Sequence, residues 1–188
     1  MKQKSIAEAM SAQDRRRFLP SEVAEFHESD RPLPIGHGQT NSQPSTVAAM
    51  LDLLEPFPGM RALDVGSGSG WTAAILGELG GADSRILAVE RIPELVERSR
   101  EAIDQPWVSV HRASPGALGL PELAPFDRIL VSAMAENAPA ELMDQLADGG
   151  IMVAPWNEVM HRVRRVGDRI EITEHGGYTF VPLIHTRF

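Results

Sequence analysis

The chain has no cysteine, which excludes disulfide bridges, thiolate metal ligands and cysteine nucleophiles. It also lacks long apolar runs. No segment approaches the ~18 consecutive apolar residues of a membrane-spanning helix, and the opening MKQKSIAEAMSAQDRRRF contains no apolar core of a signal peptide. Positive charge is in the minority: 18 Lys and Arg stand against 26 Asp and Glu, a formal net charge of −8. That balance argues against a broad nucleic-acid-binding surface. The absences together predict a cytoplasmic protein without membrane or nucleic-acid partners, monomeric by default. Two basic clusters, Arg15-Arg16-Arg17 and residues 162–165, read as local solvated faces. The histidines show no metal-ligand spacing, so no metal is expected. At 188 residues, with 43% hydrophobic and 23% charged residues, the chain suits one ordinary domain with a substantial core.

What is present begins with Leu63-Asp64-Val65-Gly66-Ser67-Gly68-Ser69-Gly70-Trp71, three alternating glycines between an apolar strand and an apolar helix. A missing Cβ lets the backbone bend sharply there and lets a ligand approach closely. The start of the helix offers N–H groups without intrahelical partners. A dinucleotide fingerprint would need a third glycine where Trp71 stands, and a phosphate-binding loop would need a lysine at the helix start. The pattern is no nucleophile elbow either, because Gly68 occupies the place of the nucleophile. What remains resembles the Rossmann-like methyltransferases, whose cofactor S-adenosylmethionine carries no phosphate. The next predicted strand, residues 85–90, ends on Glu90. A carboxylate at that tip can accept hydrogen bonds from both hydroxyls of a ribose.

The rest of the chain supports an α/β reading. Strand patterns at 61–65, 85–90, 108–111, 128–132 and 151–154 alternate with helix patterns at 71–79, 93–103 and 139–146. Such alternation predicts a Rossmann-like, doubly wound, mostly parallel sheet with helices on both faces. Residues 162–166, 169–173 and 178–183 read as a C-terminal antiparallel section turning first at Gly167-Asp168. Upstream, residues 5–18 have helical spacing, and the Pro- and Gly-rich 31–38 reads as an irregular, partly extended loop. A helix then starts at Ser42 or Gln43, with Pro44 in its first turn. A single domain is expected, with N-terminal helices and a covering loop over 1–58, a cofactor-binding core over 59–156 and antiparallel strands over 157–188. The strand tips at the glycine turn, Glu90, the residues after His111 and Ser132-Ala133-Met134 converge on one crevice, which the loop containing His37 can cover.

Nearly the whole sequence resembles the protein-L-isoaspartate O-methyltransferase family. DRPLPIGHGQTNSQP at 30–44 is similar to the family's segment ending G-Q-T-I-S-Q-P. ALDVGSGSGWTAAILGEL at 62–79 and AVERIPEL at 88–95 resemble its first two cofactor motifs. LPELAPFDRILVSAMA at 120–135, QLADGGIMVAPW at 145–156 and FVPLI at 180–184 resemble later strand regions. The resemblance implies methyl transfer from S-adenosylmethionine to the free carboxylate of L-isoaspartyl residues in damaged proteins or peptides. It places Ser42 as the active-site serine that orients the carboxylate, with Thr40 and Asn41 beside it at the substrate. It places Asp64, Gly66, Ser67, Gly68 and Gly70 at the methionine end of the cofactor and Glu90 at its ribose. The residues alone favour a helix-capping role for Ser42, which is compatible with the other.

The chain departs from the family pattern at several places. Asn41 stands where the family has isoleucine. After the third strand the family has an acid contacting the adenine amino group, whereas this chain has Arg112-Ala113-Ser114-Pro115. Ser114 offers only a neutral acceptor, so weakened cofactor affinity is expected. The family's T-A-A-A-P is replaced by Ser132-Ala133-Met134-Ala135-Glu136, with Met134 either reshaping the crevice or filling the core. A leading helix carried by many members is absent or shortened. Two other readings stay open: a methyltransferase of the same fold acting on another carboxylate or a small molecule, and a cofactor-binding relative without catalysis.

Overall fold

The computed structural model describes residues 4–184. Its main sheet is organised around the strand bounded by Arg61 and Val65, the middle one of five parallel strands. After a hairpin of β1 (Leu33–Gly36) and β2 (Gln39–Asn41), the strands of this sheet are β3 (Arg61–Val65), β4 (Arg85–Glu90), β5 (Val108–Arg112), β6 (Phe126–Val131), β7 (Leu146–Trp156), β8 (Val159–Val166) and β9 (Arg169–Gly177). Their order is β5-β4-β3-β6-β7-β8-β9. The first five elements of that order run parallel, and β8 and β9 are antiparallel. The chain leaves β3 on one side through β4 and returns on the other through β6. This reversal opens a crevice beyond the carboxyl end of β3, the usual ligand position in such sheets.

Alternation within the strands separates two cores. Ala62 and Ile86 face a cluster with Val47, Leu51, Ile75 and Leu76. Those side chains come from α2 (Pro44–Leu54) and α3 (Trp71–Gly80), with α1 (Ile6–Ala12) packed on α3. Ala88 of the same sheet face meets Val96 of α4 (Pro93–Ala102). Leu63, Val65, Leu87 and Val89 face the other way, onto Leu118, Phe126 and Leu142. The cover there is thin. It consists of α5 (Ala140–Met143) and the segment around Leu118 and Leu120.

Four expectations need correction. The helix expected over 5–18 stops at Ala12, and the side chain of Asp14 caps a separate 3₁₀ turn, Arg15–Phe18. The proline-rich segment read as an irregular loop is a hairpin of β1 (Leu33–Gly36) and β2 (Gln39–Asn41). His37 and Gly38, with φ of 54° and 69°, form its turn, the backbone such two-residue turns require. The helix expected over 139–146 shrinks to α5, because Leu146 already pairs with Phe126 in the sheet. The strand expected over 178–183 is no sheet strand. It crosses the strand tips instead, where Met134 N–H donates to Val181 O at 2.8 Å and Leu183 N–H to Met134 O at 2.7 Å.

Candidate active site

Between β3 and α3 the backbone passes through Gly66, Gly68 and Gly70 at φ of 74°, 55° and 89°, the left-handed region that disfavours any side chain. A Cβ on Gly66 would stand 3.3 Å from Ala133 Cβ, and one on Gly68 3.2 Å from Ile35 Cδ1. The turn is therefore bare enough for the tip of β6 and the β1–β2 hairpin to close on it. Its first two N–H groups are committed. Those of Gly66 and Ser67 both donate to Val89 O, at 2.9 and 3.2 Å.

Glu90 braces the turn from the neighbouring strand. Its Oε2 accepts from Gly68 N at 3.0 Å, and its Oε1 from Arg91 N at 2.7 Å and Ile92 N at 2.9 Å. An ionised carboxylate has about four lone-pair positions, so these three bonds fix its orientation and leave capacity for a ligand. Asp64 lies deeper, with no exposed surface. Ser132 Oγ donates to its Oδ1 at 2.8 Å, while its Oδ2 has no protein partner. Burial pushes the Asp64 carboxyl up to about 7, against the opposing hydrogen bond of Ser132 and with added repulsion from Glu90.

Beyond these tips lies a cleft. It is lined by Gly66, Gly68 and Glu90, by the apolar side chains of Ala113 and Leu118, and by Thr40 and Val181. A second groove is bordered by Ser42, Thr46, Thr179 and Phe180. A small cavity under the turn touches Asn41, Ser42 and Ser67. Thr40 and Ser132 border all three spaces, so a row of hydroxyls marks the junction between cleft and groove.

Most of the expected site residues meet at this junction. Ser42 is half-buried between β2 and α2. It does not cap the helix: Gln43 holds that place, without a side-chain capping bond. Asn41 is buried and already engaged. Its Oδ1 accepts from Arg15 Nε at 2.7 Å, and its Nδ2 donates to Ser69 Oγ at 3.2 Å. Ser67 is buried with an unpartnered Oγ. Ser114 is not brought in. It is exposed and borders none of these spaces, where Ala113 and Leu118 stand instead. Met134 is half-buried and likewise outside the cleft lining. Among the described residues, no group of three or more His, Cys, Asp or Glu is placed to hold a metal ion; His185 lies outside them.

A family model described as protein-L-isoaspartate(D-aspartate) O-methyltransferase matches residues 1–187. The chain belongs to this methyltransferase family. A Methanopyrus kandleri protein-L-isoaspartate O-methyltransferase is 43% identical over 188 residues, spanning 95% of this chain and 83% of the relative. One from Methanococcoides burtonii is 45% identical, covering 95% of this chain and 91% of its own length. A solved Plasmodium falciparum structure, titled a putative member of the family in complex with S-adenosyl-L-homocysteine, superposes with a TM-score of 0.85 at 27% identity. It covers 99% of this chain and 93% of the other.

Two features of this methyltransferase were not legible as site residues. Arg15, read as part of a solvated basic cluster, is only 4% exposed. The signal was Phe18, three residues on. In a 3₁₀ turn residues i and i+3 eclipse, so a buried Phe18 carries Arg15 inward with it. Val181 lies in a segment with the pattern of a strand, and nothing local in its sequence announces that it borders the cleft; Ser132 lines the cleft at the strand tip where the sequence places it.

Proposed function

We propose that this chain transfers the methyl group of S-adenosylmethionine to the free carboxylate of L-isoaspartyl residues in damaged proteins, acting as a cytoplasmic monomer. One observation carries the reading: a cleft suited to the cofactor opens, at Thr40 and Ser132, onto a groove edged by Ser42. The cleft suits the group in its chemistry. Glu90 offers a fixed carboxylate to a ribose diol, and the apolar wall at Ala113 and Leu118 suits an adenine ring. Gly66 and Gly68 line the cleft with backbone alone. The unpartnered Ser67 Oγ and Asp64 Oδ2 are buried polar atoms beside it, and such atoms call for a partner. Among the described residues, no helix is long and apolar enough to cross a membrane.

The bound cofactor supplies a methyl group already activated on a sulfonium. The acceptor carboxylate is ionised at neutral pH, so the protein needs no general base. Its work is to hold the carboxylate in line and exclude water. Neutral hydroxyls suit that task. Ser42 and Thr40 can each donate one hydrogen bond, which orients a carboxylate and leaves its remaining lone pairs free to attack. Ser132 is fixed by donating to Asp64, so it faces the junction as an acceptor. The methyl ester then closes to a succinimide, as the backbone nitrogen displaces methanol, and hydrolysis returns part of it to normal aspartate.

The test is incubation with labelled S-adenosylmethionine and two peptides that differ only in an isoaspartyl or aspartyl linkage. Base-labile label is expected on the isoaspartyl peptide alone. Cofactor binding with no label on that peptide contradicts the reading.

A further inference from the structure

We infer that Arg15 is the positioning residue of the substrate loop, and that Asn41 carries its grip across to the cofactor turn. The substrate half of this inference rests on the function proposed above; the link itself does not.

The Arg15 guanidinium is buried and makes six contacts, all to neutral oxygens. Nε donates to Asn41 Oδ1 at 2.7 Å. Nη1 donates to Ser29 O at 2.9 Å and His27 O at 3.4 Å. Nη2 donates to Arg31 O at 2.8 Å, Asn41 O at 3.2 Å and Ser42 O at 2.8 Å. The carbonyls of residues 27–31 lead into β1, and those of Asn41 and Ser42 leave β2. One planar fork thus ties together both ends of the hairpin. Taking a cation out of water is costly, and no carboxylate touches this one. What the arrangement secures is geometry. Ser42 is held by its backbone oxygen, which fixes its main chain at the edge of the groove.

The second link runs through Asn41. Its Nδ2 donates to Ser69 Oγ at 3.2 Å, and Ser69 lies buried between Gly68 and Gly70 of the cofactor turn. On the same side, Arg15 Cζ sits 5.3 Å over the ring of Trp71, the first residue of α3. Arg15, Asn41 and Ser69 therefore form a continuous polar chain from the serine loop to the cofactor turn. It depends on asparagine at position 41, because an aliphatic side chain there has nothing to offer either neighbour. Ordering of the turn is expected to reach the loop, through a coupling small enough that disturbing the loop changes cofactor affinity by no more than about threefold.

Two measurements test this. In Arg15→Lys the charge is kept, but a single ammonium cannot reproduce the spread of a guanidinium. We expect kcat/KM for an isoaspartyl peptide to fall about 10- to 100-fold, as for a small displacement of a positioning group. The affinity for S-adenosylhomocysteine, read by calorimetry, is expected to stay within about threefold. Wild-type kcat/KM in this variant, or equal losses in both quantities, overturns the positioning role.

The second measurement needs no substrate and does not depend on Arg15→Lys folding. It is amide hydrogen exchange of wild type and Ser69→Ala, with and without S-adenosylhomocysteine. Ligand is expected to slow exchange over residues 41–46 in wild type. In Ser69→Ala that protection is lost, while protection at 66–70 persists. Equal protection over 41–46 in both proteins, or none in wild type, overturns the link. Failure of the proposed function shows separately, as an absence of methyl transfer by wild type.

Discussion

The two halves of the site are made differently. The cofactor side rests on strand tips and one turn, namely β3, three glycines, α3 and the Glu90 tip of the adjacent β4, with Ala113 and Leu118 as its wall and Thr40 and Val181 shared with the substrate side. The substrate side has no such frame. It is gathered from Arg15, the β1–β2 hairpin, the tip of β6 at Ser132 and the crossing segment around Val181. Polar side chains and backbone bridges hold it together. A site laid on the sheet takes its shape from the sheet's register. A site collected from loops takes its shape from whichever side chains bind those loops together.

The contrast can be broken or sharpened by substitution. The largest effect is expected at Glu90, where the carboxylate holds three backbone N–H groups as well as facing the cleft. Glu90→Ala leaves those donors without their partner, and each such loss costs about 1–3 kcal/mol. S-adenosylhomocysteine affinity should fall by at least about 100-fold, with a lower Tm; calorimetry and thermal melting read both.

Asp64 should show itself through pH. Its folded pKa lies near 7, above the ordinary 3.8 of an unfolded aspartate. The native state therefore holds a proton that the unfolded state has released. Stability from this group is fully present below about pH 4 and is lost as pH rises through 7. Asp64→Asn cannot charge, so it should melt higher than wild type by several degrees at pH 8. That advantage should shrink towards pH 4, and an advantage independent of pH would refute the assignment. The smallest effect is expected at Ser114. Because it is exposed and outside the cleft, Ser114→Asp should change S-adenosylhomocysteine affinity by less than about threefold.

The same contrast decides what could be read in advance. The five parallel strands, the glycine turn and Glu90 were legible because period, turn chemistry and strand-tip acids are local properties. The hairpin was not, since Pro32 and Pro34 suggest broken structure while an edge strand accepts proline. The segment 178–183 has the composition of a strand, yet composition does not name a partner, and here the partner is Met134 at a strand tip. Arg15 was hidden by its neighbours. Arg16 and Arg17 are exposed, and only the 3₁₀ turn distinguishes the one that turns inward.

The Ser42 hydroxyl serves the substrate groove and not the cofactor cleft. Titration of S-adenosylhomocysteine into Ser42→Ala, whose peptide kcat/KM should be at least about tenfold reduced, tests it most directly. A Kd within about twofold of wild type is expected, because Ser42 lies outside the main cleft and the substitution keeps the backbone oxygen through which Arg15 ties it to the cofactor turn. A Kd weakened in step with kcat/KM would contradict it.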